Sequence, residues 1–157
     1  MGDSQQVLSL SVGLMVVGAL VFLTLQFVSA PYGRHARSGW GPTLPNRLSW
    51  LLMEAPASLV FFAVYAAGAQ RAALTPLVLL TLWQVHYVHR AFIYPWSLRS
   101  GGKRNPWLTV LMGMLFNSLN AYINARWISE LGDYPATWLT SPSFLIGTLV
   151  FVVGFGI

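Results

Sequence analysis

Cysteine is absent from this 157-residue chain. That excludes disulfides, thiolate nucleophiles and cysteine-ligated metals, though it says little about compartment. Charge is scarce as well: only 8% of residues are Asp, Glu, Lys or Arg, against about one-quarter in a typical soluble domain. Acids are rarest, with four in the whole chain, at Asp3, Glu54, Glu130 and Asp133. So small a charge complement cannot cover the surface of a water-soluble domain of this size. What is present is apolar: 55% hydrophobic residues and a mean hydropathy of +0.60, gathered in several runs of roughly 20 residues, the length that spans a bilayer. The composition implies an all-α, polytopic transmembrane helix bundle forming one domain over 1–157. The net charge of +5 does not point to nucleic acid, because the nine basic residues lie mostly between the apolar runs, where they set membrane orientation.

Five helices are predicted, at about 7–30, 48–69, 74–94, 106–128 and 142–157. The first has no basic leader and is too long for a signal peptide. Although VSA precedes Pro31 like a cleavage site, proline directly after the cut disfavours processing. Gly13 and Gly18 are candidates for close packing on this helix. The last apolar run ends at VVGFGI without a polar flank, so covalent sequence is expected to continue past Ile157. Arg34, Arg37 and Arg47 fall in loop 31–47, and Arg99, Lys103 and Arg104 in loop 95–105. The turn near 69–73 carries only Arg71, and loop 126–141 sets Arg126 against Glu130 and Asp133. This alternation predicts loops 31–47 and 95–105 in the cytoplasm and the N-terminus outside.

Three predicted helices carry a polar stripe. On the second, Glu54, Ser58 and Tyr65 share a face. On the third, the stretch QVHYVHRAFIYP (84–95) places His86, Tyr87, Arg90 and Tyr94 within about one-quarter of the circumference at 100° per residue. His89 lies beside them, and Val85, Val88 and Phe92 lie opposite. On the fourth, Asn117, Asn120 and Asn124 follow. Glu54 lies six residues into its helix, about 9 Å, and Tyr87 seven residues from the end of its own, about 10 Å at 1.5 Å per residue. An acid and a phenol therefore sit at one depth, on the cytoplasmic side. Ionisable groups inside a membrane are functional candidates. Arg90 also fits a structural bridge to Glu54, and the asparagines fit interhelical hydrogen bonding. Two histidines with one acid and no cysteine make a poor metal site, and none is predicted. An acid enclosed by apolar groups is cheaper in its neutral form. Glu54 and Tyr87 are then two donors suited to a carbonyl oxygen that gains negative charge.

These same segments resemble the steroid 5α-reductase family. VHYVHRAFIYP is similar to its His-Tyr-x-His-Arg-x-Phe-x-Tyr signature, WLLMEAPAS to its Trp-x-x-Gln-Glu-x-Pro-Ser block, and LRSGGKRNP to its Arg-Gly-Gly-Lys-x-x-Pro loop. APYGRHARSGWGP, FNSLNAYINARW and DYPATWLTSPSFLIG resemble further blocks, in the family's order, from Ala30 to Ile157. The resemblance implies a seven-helix membrane fold, of which five helices lie in this chain. It also implies reduction of the carbon–carbon double bond of 3-oxo-Δ4-steroids, with NADPH delivering hydride to C5 and a proton reaching C4. Carried over residue by residue, it makes Glu54 and Tyr87 catalytic. Trp50 and Phe116 then line the substrate, while Tyr32, Arg99 and Lys103 lie near the cofactor. His86, His89, Arg90 and Asn120 are supporting residues. Met53 departs from the family's Gln before the acid. The implied partners are a steroid or sterol-like lipid and membrane lipids. A related sterol or enoyl-lipid reductase, and a proton-coupled carrier built on Glu54 and the histidines, are the competing readings.

Overall fold

The computed structural model describes residues 2–28, 41–98 and 102–157. Helix α1 spans Asp3–Leu25, α2 Asn46–Ala66, and α3 Leu74–Val88. The third run continues without a break through a π-helical turn, His89–Ile93, into the short α4, Tyr94–Ser97. Helix α5 spans Trp107–Arg126 and runs on into a second π-helical turn, Trp127–Leu131; α6 spans Pro142–Gly156. Each of the five predicted helices is present, with ends displaced by a few residues.

Proline accounts for several of these details. Pro95 has no N–H to offer the Ala91 carbonyl, and its ring crowds that carbonyl. The helix widens there, and the Tyr94 N–H reaches back five residues to the His89 carbonyl. Pro142 sits in the first turn of α6, where proline costs nothing, and the Ser141 hydroxyl caps that helix by accepting from the Phe144 N–H at 3.3 Å.

One element departs from the all-α expectation. Thr43–Pro45 (β1) and Arg104–Pro106 (β2) pair as a two-stranded antiparallel ribbon, with Leu44 opposite Asn105. Strand β1 leads directly into α2 and β2 directly into α5. Cross-bonds tie the starts of both helices to the ribbon: Asn46 N–H to the Lys103 carbonyl at 3.1 Å, Trp107 N–H to the Pro42 carbonyl at 2.8 Å, and the Asn105 amide to Asn46 Oδ1 at 2.8 Å. The two loops therefore meet at one end of the bundle, and α2 and α5 leave it side by side and parallel.

Small residues let these two helices approach. Gly113, Asn117, Ala121 and Ala125 recur every four residues on α5, and the last three of them are buried. They face Met53, Phe61 and Tyr65 of α2. A Cβ added to Gly113 would lie 2.9 Å from Met53 Cγ, so glycine is needed for this spacing. Helix α3 packs antiparallel to α2. Phe61 stacks on Trp83 with ring centroids 4.4 Å apart, and Trp83 continues onto Tyr87 at 4.8 Å. At the end away from the ribbon, Gly68 lies against Ser129. There the Ala69 N–H donates to Glu130 Oε2 at 2.7 Å, and the Thr75 hydroxyl donates to the Pro135 carbonyl at 3.0 Å.

Helix α1 is exposed along its apolar length, with only Val7 buried. Asp3 pairs with Arg126 of α5, which sets the start of α1 at the end away from the ribbon. Gly13 and Gly18 have nothing within 4 Å of a would-be Cβ, so among the described residues they pack as ordinary membrane glycines rather than at a close helix contact. Two helices, Asp3–Leu25 and Asn46–Ala66, are long and apolar enough to cross a membrane. Exposed apolar side chains such as Met15, Phe22, Leu59 and Leu149 suit lipid contact, as in a membrane protein.

Candidate active site

The site forms where α2, the α3 run and α5 converge. Glu54 is 7% exposed, one turn beyond Trp50 on α2. Arg90, in the π-helical turn, donates from Nε to Glu54 Oε1 at 2.9 Å. The bridge weighed from sequence is thus formed. Its arginine is held from the other side too: the guanidinium carbon lies 5.2 Å from the centre of the Trp50 ring, within cation–π range. Trp50 in turn meets Tyr94 edge-on at 5.3 Å. The widened turn at Pro95 therefore presents Arg90 and Tyr94 to α2 together, the kind of irregularity that π-bulges often supply at functional sites.

Asn117 approaches from α5. Its Nδ2 donates to the Met53 carbonyl at 2.6 Å and lies 3.4 Å from Glu54 Oε2. Both neighbours are acceptors, which assigns the amide orientation. The two carboxyl oxygens thus differ: among the described residues Oε1 is taken by Arg90, while Oε2 has only the long contact to Asn117.

Tyr87 is half-buried between Trp83 and His86, whose ring is edge-on to it at 4.9 Å. Among the described residues, Glu54 and Arg90 are the charged groups that act electrostatically on its hydroxyl. A cavity of about 340 Å³ opens beside it, lined by Leu79, Leu82, Trp83, His86, Tyr87, Ile128 and Phe151. This wall is almost wholly apolar and aromatic, with the phenol and one imidazole as its polar points.

The other sequence-selected residues separate into groups. His86 and His89 turn toward α6, where His89 lies 5.2 Å from the Phe155 ring and His86 6.1 Å from that of Phe151. Asn120 does not join the acid: its Oδ1 accepts from Asn124 of the same helix at 3.1 Å. Tyr65 donates to the Arg71 carbonyl at 2.9 Å, about three helical turns from Glu54. Ser58 donates to Gln84 Oε1 at 2.6 Å, joining α2 to α3. Phe116 is exposed on the outside of α5. Lys103 belongs to the ribbon end, where Pro45, Asn46, Arg47, Gly102, Lys103 and Arg104 line a cleft of about 240 Å³. Tyr32 and Arg99 lie outside the described residues. Sequence reasoning placed Asn117 in a stripe with Asn120 and Asn124 but gave it no part in the site; the four-residue repeat from Gly113 was the signal that would have singled it out.

Comparison with known proteins bears directly on this arrangement. Residues 103–157 match the sequence profile of the family described as 3-oxo-5-alpha-steroid 4-dehydrogenase. Over 142 residues the chain is 34% identical to 3-oxo-5-alpha-steroid 4-dehydrogenase 1 of Bos taurus, an alignment covering 88% of this chain and 55% of that protein. It is 36% identical over 150 residues to steroid 5-alpha-reductase DET2 of Arabidopsis thaliana, covering 90% of this chain and 56% of that one. With 3-oxo-5-alpha-steroid 4-dehydrogenase 1 of Homo sapiens the identity is 36% over 140 residues, 88% of this chain and 54% of the relative. Over most of its length the chain is similar to steroid 5α-reductases, and its residues 103–157 match that family's profile. These relatives carry the names of a steroid dehydrogenase or reductase, and the chain spans about 55% of their length. The aligned part of these reductases includes the whole convergence of α2, α3 and α5, so Glu54, Tyr87, Arg90 and Asn117 all fall inside it.

Proposed function

We propose that the protein, as an integral multi-pass membrane enzyme, reduces the Δ4 double bond of 3-oxo-Δ4-steroids to the 5α products, using NADPH. The observation that carries this reading is a buried acid with one carboxyl oxygen fixed by a cation and the other left with weak company. On the neighbouring helix α3 a half-buried phenol, Tyr87, lines an apolar cavity. Such a wall fits a rigid, greasy ketone better than a polar metabolite. Similarity to the named steroid reductases supports the reaction class.

In this reading Tyr87 and Glu54 donate to the 3-keto oxygen, Glu54 from Oε2 while Oε1 accepts from Arg90. Such donation requires a proton on Oε2 when the ketone is bound, while Oε1 accepts from Arg90. Charge that develops on the ketone oxygen then meets two preorganised donors in a site with little water, where each is worth more than in solution. Trp50 and Tyr94 keep Arg90, and through it the acid, from turning away. A dinucleotide phosphate suits the ribbon cleft, where Arg47, Lys103 and Arg104 supply three cations and no acid lies among the lining residues. Bound there, NADPH would supply the hydride. The ribbon end is the cytoplasmic end in this reading and the N-terminus lies outside, in accord with the basic loops.

The test is direct. Membranes containing the complete protein are incubated with NADPH and testosterone or progesterone, and products are analysed by mass spectrometry. A 5α-reduced 3-oxo product is expected; unconsumed steroid in both incubations overturns the reading for these substrates.

A further inference from the structure

Helix α2 is weakened where it carries Glu54. Pro56 has no N–H, so the Leu52 carbonyl lacks its helical donor. Side chains from neighbouring helices bond to the main chain on both sides of this break. Beyond it, Trp83 Nε1 donates to the Ala57 carbonyl at 2.8 Å and Gln84 Nε2 to the Ser58 carbonyl at 3.1 Å. Before it, the bond from Asn117 to the Met53 carbonyl is the shortest of the three at 2.6 Å. Met53 is the residue directly before the acid.

From this we infer that Asn117 is a positioning residue for Glu54, an inference that rests on the reductase reading of the site. A carboxamide whose Nδ2 is held by one strong bond cannot rotate freely, so the direction of its second N–H is set. That N–H points to Glu54 Oε2 at 3.4 Å, near enough to bias the carboxyl and too far to capture the oxygen. The result is a two-sided grip: Arg90 fixes Oε1 from α3, and Asn117 limits the swing of Oε2 from α5. Asn117 is 8% exposed, so water cannot readily replace it. The close approach at Gly113, one turn earlier on the same face of α5, brings the amide within reach. Leucine at 117 would fill the space without the donor, whereas aspartate would keep the shape and set an acceptor against the Met53 carbonyl in place of the donor.

Steady-state kinetics of the complete protein in membranes tests this. Asn117→Leu is expected to lower kcat by about tenfold to a hundredfold, the scale of a misplaced catalytic group, while KM for the steroid stays within about threefold. Asn117→Asp is expected to move the pH profile of kcat. A residue that merely packed would do neither, since its loss reduces the amount of folded enzyme and leaves kcat per folded molecule and the profile in place. That result overturns the inference. Isotope-edited infrared spectroscopy of the Glu54 carboxyl gives a readout without turnover: the band should shift in Asn117→Leu relative to wild type. If the wild-type enzyme reduces no 3-oxo-Δ4-steroid, the reductase reading fails by itself. An unchanged Glu54 band then refutes the grip, and a shifted band sustains it.

Discussion

Glu54 stands out in the sequence because a carboxylate within an apolar run is costly and rare, and Tyr87 because it falls at the same depth on an antiparallel neighbour. Spacing alone brings both forward as candidates. The structure adds what holds them: Arg90 at 2.9 Å from the acid, and Trp83 and His86 around the phenol. Glu54→Gln and Tyr87→Phe should each remove most turnover, on the order of a hundredfold or more, while folded protein is recovered in wild-type yield; steroid turnover per folded molecule checks this. Arg90→Lys keeps the charge but loses the planar guanidinium that both bonds Oε1 and lies over Trp50. It should cost roughly tenfold in kcat, measured in the same assay. Which asparagine reaches the acid was not legible. Asn117, Asn120 and Asn124 form one stripe on a helical wheel, but only the narrow strip pressed against α2 is inside. That strip follows the small residues from Gly113 to Ala125, not the polar ones.

Helix positions were legible because runs of apolar residues of spanning length leave few alternatives. The irregular parts were not. Strands of three residues are too short to show an alternating pattern, and Thr43–Pro45 pairs with Arg104–Pro106 from 61 positions away. The π-helical turn before Pro95 also lies beyond a constant 100° wheel, though the proline itself marked the place. The α2–α5 contact gives a prediction of its own. Gly113→Val should destabilise the protein by about 1–3 kcal/mol, because its side chain enters the space of Met53 and a packed interface tolerates added methyls poorly. Gly13→Ala and Gly18→Ala, on open stretches of α1, should be neutral or slightly stabilising, since alanine is the better helix former. Thermal unfolding in detergent distinguishes the two cases.

Charge is segregated along the whole molecule. Arg47, Lys103 and Arg104 gather at the ribbon end, whereas Asp3, Arg126 and Glu130 occupy the opposite end and Glu54 lies between. The predicted topology makes these ends cytoplasmic and external. Because residues 1–157 contain no cysteine, single-cysteine variants of this chain report sidedness cleanly. In intact cells a membrane-impermeant thiol reagent should label Gly2→Cys and spare Lys103→Cys, and in inside-out vesicles the pattern should reverse; the same pattern in both preparations would refute the orientation. The catalytic proposal is exposed most sharply by supplying NADPH deuterated at the transferred position to membranes of wild type, Glu54→Gln and Tyr87→Phe with a 3-oxo-Δ4-steroid, and reading the product by mass spectrometry. Wild type should yield a 5α-reduced ketone with one deuterium at C5, and both variants only traces of it. Absence of deuterium at C5 in the wild-type product, or undiminished product from either variant, would contradict the assignment of this site.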